Sequence, residues 1–214
     1  MTRSLEPEVM DSPDIPAALL EQFHKDLHRI HGLLGTYRTI ERFLRADPLP
    51  VRRVLDIGCG GGDLLLYLRR RMGVGVIGID PKPAIVPGLE IATGNAITAD
   101  LPKADVAVCT MLGHHLTPEE NIALIRNVAR SSRRFLILDL IRHPLPLTLF
   151  TAFLCPLIGR EAGADGRQSI RRSFTPTEYL DLAQTAIAGI PGATVQIDVA
   201  PLRSRQVLDL RFPA

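Results

Sequence analysis

VLDIGCGGGD, residues 54–63, decides the fold. A short apolar run carries Asp56 near its end, and four glycines with Cys59 separate that run from Asp63. VRRVLDI (51–57) reads as a strand and DLLLYLRRRM (63–72) as a helix, so the glycines form the turn between them. A glycine-rich turn from strand to helix lets backbone approach a bound ligand closely, because glycine has no Cβ.

The alternation continues outward. VGVIGID (74–80), LEIATGN (89–95), DVAVCTM (105–111) and RRFLILDLI (133–141) read as further strands. PKPAIVPGL (81–89) holds three prolines and allows only a short helix or turn. Thr117-Pro118-Glu119-Glu120 supplies an N-cap, a proline at N1 and an acidic first turn for the helix NIALIRNVAR. Thr175-Pro176-Thr177-Glu178 has the capping-box pattern and opens EYLDLAQTA. ATVQIDVA and SRQVLDLRF alternate as a final antiparallel hairpin. Upstream, Leu19, Leu20, Phe23, Leu27, Ile30, Leu33 and Leu34 have helical spacing. Gly35 ends that helix, TYRTIERFLRA starts another, and Pro48 and Pro50 close it. Strands interleaved with helices imply an α/β fold with an open, mostly parallel sheet, whose ligands bind at the carboxyl ends of the strands. Position 58 sits at such an end.

Which ligand the loop takes follows from charge. A phosphate loop needs Lys-Ser or Lys-Thr after its glycines, and none is present. For a dinucleotide, the third glycine of GxGxxG falls at Asp63, a carboxylate where a pyrophosphate would sit. Asp56 is a second carboxylate in the same place. A cationic ligand without phosphates removes the conflict. S-adenosylmethionine carries a sulfonium and an ammonium, so Asp56 can accept from the ammonium while Gly58 and Gly60 pass beneath it. Asp80, ending the second strand, can accept from both ribose hydroxyls.

On these residues the chain resembles the class I S-adenosylmethionine-dependent methyltransferases. Asp56-x-Gly58-x-Gly60-x-Gly62 matches their first motif and Asp80 their second. VLDIGCGGGDLLLYL, VAVCTMLGHHL and RRFLILDL resemble the small-molecule branch related to the quinone-biosynthesis enzymes. HGLLGTYR and SIRRSFTPTEYLDLA resemble a bacterial subgroup that accompanies type III polyketide synthases. The resemblance implies a Rossmann-like, mostly parallel seven-stranded sheet with a terminal antiparallel hairpin and an N-terminal helical cap. It implies a cofactor site built from Asp56, Gly58, Cys59, Gly60, Asp80, Pro81, Asn95, Ala96, Thr110 and Met111. Asn95 stands where the family carries an acidic residue near the adenine amine, and its amide oxygen is the replacement acceptor. Arg38 is the candidate for the cofactor carboxylate, a task guanidinium geometry suits. His114 and His115, after the fourth strand, are candidate general bases; orienting the loop through backbone hydrogen bonds is the other role open to them. His31 is a weaker catalytic candidate.

His24, His28 and His31 share a helical face at i, i+4 and i+7, a spacing that could hold a metal; with no cysteine or acidic partner in view, no metal is expected. Arg171 and Arg172 either grip an acidic substrate or flank a helix start. The resemblance and the strand pattern divide the chain into a flexible or loosely docked arm (1–16), a helical cap (17–47) and a cofactor-binding domain (48–214), within which 142–174 is a substrate-covering insertion. LPLTLFTAFLCPLIG (145–159) is almost wholly apolar but too short and too proline-broken to span a bilayer, which takes roughly 20 residues. A buried or substrate-facing helix is expected there.

The 214 residues carry a net charge of +2, too little to argue for nucleic acid. Cys109-Thr110-Met111-Leu112 also lacks the Asn/Asp-Pro-Pro-aromatic run of the enzymes that methylate exocyclic amines of bases. The three cysteines form no CxxC pair, and the N-terminus has no apolar signal region, so a reducing cytoplasm is expected. The resulting expectation is transfer of a methyl group to oxygen or carbon of a small, aromatic, lipophilic acceptor of polyketide, phenol or quinol type. The protein acts as a monomer or homodimer, with no membrane span and at most peripheral membrane contact. The alternatives are a non-catalytic protein that keeps the cofactor fold for binding and, ranked lower, a nucleic-acid methyltransferase.

Overall fold

The computed structural model describes residues 1–12, 14–83 and 86–213, with the side chains at 17, 18, 20, 21, 24, 27 and 28 outside the description. Seven strands form one sheet: β1 (Arg53–Ile57), β2 (Gly75–Asp80), β3 (Glu90–Thr93), β4 (Ala104–Thr110), β5 (Ser132–Leu140), β6 (Thr194–Val199) and β7 (Arg205–Arg211). Their order is β3-β2-β1-β4-β5-β7-β6. The first five are parallel, and β7 runs antiparallel between β5 and β6. The chain leaves β3 at one edge and re-enters at β4 on the other side of β1. The carboxyl ends of β1 and β4 therefore flank the switch point, where sheets of this kind bind ligands.

The strands are covered on both faces, and alternate side chains divide between two cores. Leu55, Ile57, Ala107, Cys109, Phe135 and Ile137 pack with α4 (Pro118–Val128) and α7 (Pro176–Ile187). Val54, Val106, Val108, Leu136 and Leu138 pack with α2 (Thr36–Arg45) and α3 (Asp63–Met72). The expected N-cap at Thr117 and the expected capping box at Thr175 both form, and Thr117 closes a capping box as well. Thr117 Oγ1 accepts from the Glu120 N–H at 3.1 Å, and Thr175 Oγ1 from the Glu178 N–H at 3.3 Å. At the end of the sheet away from the switch point, the buried Arg134 grips Asp209 through two bonds of 2.7 Å and Asp47 through one of 2.9 Å. This ties β5 and β7 to the connection leading into β1.

The arm over 1–16, read as flexible or loosely docked, makes its contacts through residues 1–11. Asp165 on α6 (Arg160–Arg172) accepts from the Val9 and Met10 N–H groups at 2.8 and 2.9 Å. Gln168 donates to Ser4 Oγ at 2.8 Å and to the Glu6 carbonyl at 2.7 Å. Arg3 donates to the Arg172 carbonyl at 2.6 Å, and its guanidinium lies 3.9 Å from the Phe174 ring centre. Polar side chains of α6, rather than a hydrophobic stripe, hold the arm.

The apolar stretch 145–159 is not one buried helix. It breaks into α5 (Pro144–Leu149), a π-helical turn (Phe150–Leu154) and a 3-10 turn (Cys155–Leu157). Pro146 and Phe150 are buried, while Leu145, Phe153 and Leu157 are exposed. Among the described residues, no helix is long and apolar enough to cross a membrane. The proline-rich turn expected over 81–89 lies partly outside the described residues.

Candidate functional site

The glycine loop leaves β1 with Gly58, Gly60 and Gly62 all at positive φ. The Gly58 and Cys59 N–H groups donate to the Ile79 carbonyl at 2.8 and 3.4 Å, which pins the loop to the end of β2. A Cβ on Gly58 would lie 2.9 Å from the Leu112 side chain, so the loop after β4 closes directly over it. Cys59 tucks its sulfur against Gly78, where a Cβ would come within 2.5 Å. Burial pushes the Cys59 thiol up to about 12, so it fills space and stays protonated.

Asp56 is 2 % exposed, and its Oδ1 has no hydrogen-bond partner. Burial, with a smaller push from Asp80, raises its carboxyl to about 8. An orphaned buried carboxylate beside a glycine loop is what a cationic ligand would relieve. Asp80 holds the loop's shape: Oδ2 accepts from the Gly60 N–H at 2.9 Å and Oδ1 from the Lys82 N–H at 2.7 Å. Each oxygen keeps a second lone pair for a ligand hydroxyl. Across the switch point, Met111 sits at φ 56°, a conformation rare for residues other than glycine, and donates its N–H to the Leu138 carbonyl at 2.9 Å.

Beyond Met111 the chain makes a 3-10 turn, Gly113–His115. The buried His114 is held by Asp139, which follows Leu138 at the end of β5. Asp139 Oδ1 lies 2.6 Å from His114 Nδ1, and Oδ2 accepts from the His114 backbone N–H at 2.8 Å. A carboxylate only accepts, so Nδ1 carries a proton. The His114 Nε2 faces Glu8 of the arm, 3.8 Å from Oε1. His115 is arranged alike. Its Nδ1 is 3.1 Å from Asp11 Oδ1 and its Nε2 is 3.9 Å from Glu8 Oε2. Burial raises Glu8 to about 7, whereas Asp11 is held well below the usual carboxylate range, first by the His115 hydrogen bond. Behind the turn, Asn121 donates to the Gly113 carbonyl at 3.0 Å, and Tyr179 donates to Asn121 at 3.1 Å. Gly113 leaves no room for a side chain, since a Cβ would run into the Tyr179 hydroxyl.

A methyltransferase domain model matches residues 26–184. The chain belongs to this methyltransferase family. The methyltransferase is 31% identical to the ubiquinone biosynthesis O-methyltransferase of Hahella chejuensis, over 66% of its own chain and 60% of that enzyme. It therefore spans less than two thirds of that relative's length. It is 27% identical to the enzyme of the same name from Aeromonas salmonicida, over 78% of its own chain and 74% of that one. In fold it is similar to the plantazolicin methyltransferase BpumL in complex with SAH, with a TM-score of 0.68, 14% identity, and 89% and 90% of the two chains covered.

Several residues expected at the site of the methyltransferase are placed differently. Arg38 is exposed and lines a groove of about 820 Å³ with Glu41, Arg42, Arg45, Ala46, Tyr67 and Arg71. Its neighbour Tyr37 is the one turned inward. Burial raises the Tyr37 phenol, and the charges of Asp63 and Asp56 raise it further. Asn95 Oδ1 accepts from the Ile97 N–H at 2.9 Å, which fixes the amide and leaves its second lone pair. Ala96 is buried, and its carbonyl accepts from Asn127 at 2.8 Å. Pro81 is exposed just after Asp80, and Thr110 ends β4 opposite Leu138. His31 is not grouped with His114 and His115. Its Nδ1 lies 3.3 Å from Thr36 Oγ1 and its ring 6.0 Å from that of Tyr37. The side chains of His24 and His28 lie outside the described residues. Arg172 faces Asp11 at 2.6 Å, and Arg171 and Arg172 lie in the last turn of α6, just ahead of the Thr175 N-cap of α7.

Four site residues escaped the sequence reading: Asp139, Tyr37, Glu8 and Asp11. Asp139 had a signal, since LILDL ends a strand next to β4. Glu8 and Asp11 had none, because the arm shows no periodicity.

Proposed function

We propose that the protein transfers the methyl group of S-adenosylmethionine to oxygen or carbon of a small aromatic, lipophilic acceptor of phenol, quinol or polyketide type. The observation that carries this reading is Asp56: a buried carboxylate with an unpartnered oxygen, set between a positive-φ glycine loop and Asp80. Its chemistry fits an ammonium, which favours the ionised carboxylate; a pyrophosphate would gain nothing from that charge. When bound, the cofactor supplies an electrophilic methyl on a sulfonium and departs as a neutral thioether.

In this reading Asp56 takes the ammonium, directly or through a water. Asp80 takes the ribose hydroxyls with its remaining lone pairs. Gly58 and Gly60 let the backbone approach, and Pro81, Ala96, Thr110 and Met111 border the site. Tyr37 closes the side next to Asp56 and Asp63. Catalysis then rests on alignment and exclusion of water. His114 and His115 turn Nε2 towards Glu8, so in this arrangement they hold the edge of the site and do not present a base to the acceptor.

The lipophilic part of the reading is supported by exposed Leu33, Phe153 and Leu157. A groove of about 420 Å³ runs between α1 (Ala17–Leu34) and residues 154–158. A buried alkyl chain gains roughly 0.8 kcal/mol per CH₂.

The test has two arms. Calorimetry with S-adenosylhomocysteine and with NADH asks which cofactor binds; binding of the former alone is expected, and no binding of it would overturn the reading. Mass spectrometry of alkyl phenols and quinols incubated with S-adenosylmethionine then seeks a gain of one methyl. Cofactor binding without methylation of any small acceptor would favour a non-catalytic binding protein.

A further inference from the structure

We propose that Glu8, His114 and His115 form a three-ligand site for a divalent transition metal of the zinc class, which clasps the N-terminal arm to the carboxyl edge of the sheet. One oxygen or nitrogen from each residue lies within 4.8 Å of the others. Around a four-coordinate ion at about 2.0–2.1 Å, such atoms stand about 3.3 Å apart, so small side-chain adjustments suffice to close the site. This donor set, two imidazoles and one carboxylate, suits zinc or cobalt rather than calcium or magnesium.

Three independent features point the same way. Glu8 is 6 % exposed, and its Oε1 has no hydrogen-bond partner although it faces His114 Nε2. Both imidazoles are engaged through Nδ1 by a carboxylate, His114 by Asp139 at 2.6 Å and His115 by Asp11 at 3.1 Å. Metal-bound histidines are commonly oriented in this way, the carboxylate fixing the tautomer and freeing Nε2 for the ion. The charge around the site also favours a cation. Glu8, Asp11 and Asp139 contribute three carboxylates. Two guanidiniums stand near: Arg172, 3.8 Å from Glu8 Oε1, is paired to Asp11 at 2.6 Å, and Arg3 donates to the His114 carbonyl at 3.2 Å, so the carboxylates still outnumber the fixed cations. Three protein ligands leave the fourth position of a tetrahedral ion to a water or a substrate oxygen.

The site draws on both ends of a long loop, since Glu8 enters from the arm and the histidines from the turn after β4. An ion there would stabilise the docked arm by mass action. The proposal does not depend on the identity of the acceptor or on methyl transfer itself.

The full chain, freed of metal by chelation, is titrated calorimetrically with Zn²⁺ and followed with Co²⁺ by visible absorption. One ion per chain is expected, with a rise in Tm that EDTA reverses and no sulfur-to-cobalt charge-transfer band. Glu8→Gln and His115→Ala should each weaken Zn²⁺ binding a hundredfold or more. A His24→Ala/His28→Ala variant should bind as the parent does. Melting of each variant in EDTA separates loss of the site from loss of the fold. If a ligand variant does not fold, the Co²⁺ spectrum of the parent decides, since a thiolate band would place the ion elsewhere. Absence of stoichiometric binding, or binding that survives both ligand substitutions, overturns the proposal.

Discussion

Asp139 holds His114 by two bonds, one to the imidazole Nδ1 at 2.6 Å and one from the backbone N–H at 2.8 Å. A single buried carboxylate thus sets both the ring orientation and the path of the chain after β4. Asp139→Ala would leave two buried donors without an acceptor, and we expect a stability loss of about 2–4 kcal/mol. Asp139→Asn keeps the shape but can accept through only one atom, and should cost less. Urea denaturation of the two variants checks the order; equal and small effects would contradict the coupling.

Asp56 makes cofactor binding depend on pH. Its carboxyl lies near 8 in the free protein, above its ordinary 3.8, so most molecules carry it protonated at pH 6. An incoming ammonium favours the ionised form. Affinity for S-adenosylhomocysteine should therefore rise about tenfold from pH 6 to 7 and level off near pH 8, with a proton released on binding. Calorimetry in buffers of different ionisation enthalpy reads that proton, and Asp56→Asn should abolish both effects. For the free protein the sign is opposite. A carboxyl raised on folding favours the fold below its unfolded pKa, and that contribution is lost as pH rises towards 8.

Asp80 shapes the loop and offers lone pairs to the ribose. Asp80→Ala is expected to weaken S-adenosylhomocysteine binding about tenfold, about 1.4 kcal/mol. An affinity unchanged within twofold would place the ribose elsewhere.

Arg134 lies at the other end of the sheet. Removing it strands Asp47 and Asp209, and breaking a buried pair in this way costs about 3–5 kcal/mol. Arg134→Ala should lower Tm sharply while the folded fraction binds the cofactor with parental affinity.

The arm hangs on Asp165. Substituting Asp165→Ala leaves the Val9 and Met10 N–H groups without acceptors, and limited proteolysis should then cut within residues 1–16 much faster than in the parent. Unchanged cleavage kinetics would mean that the other contacts suffice.

What the sequence revealed was local. The strand carrying Asp56, the glycines, the N-cap at Thr117 and the capping box at Thr175 each depend on neighbours within a few positions, and each was legible. The docking of Glu8 depends on α6 and on the turn after β4, more than a hundred residues away, and no local pattern announces it. Tyr37 and Arg38 show a different limit. Arg38 was chosen for its guanidinium, but adjacent helical residues point about 100° apart, and nothing local says which of the two turns inward. Asp139 was visible as an acid at a strand end, but its partner lies 25 positions earlier and is joined to it only by the pairing of β4 with β5.

The packing of the cysteines has a practical consequence for spectroscopy. Cys59 is sealed against Gly78 with its thiol near 12, and Cys109 is fully buried in the sheet core. Cys155 alone is half-buried, at the broken apolar segment and 3.2 Å from the Arg167 guanidinium. A maleimide dye added to the native chain should therefore attach there and nowhere else. It would provide a fluorescent reporter beside the lipophilic groove without a single engineered residue.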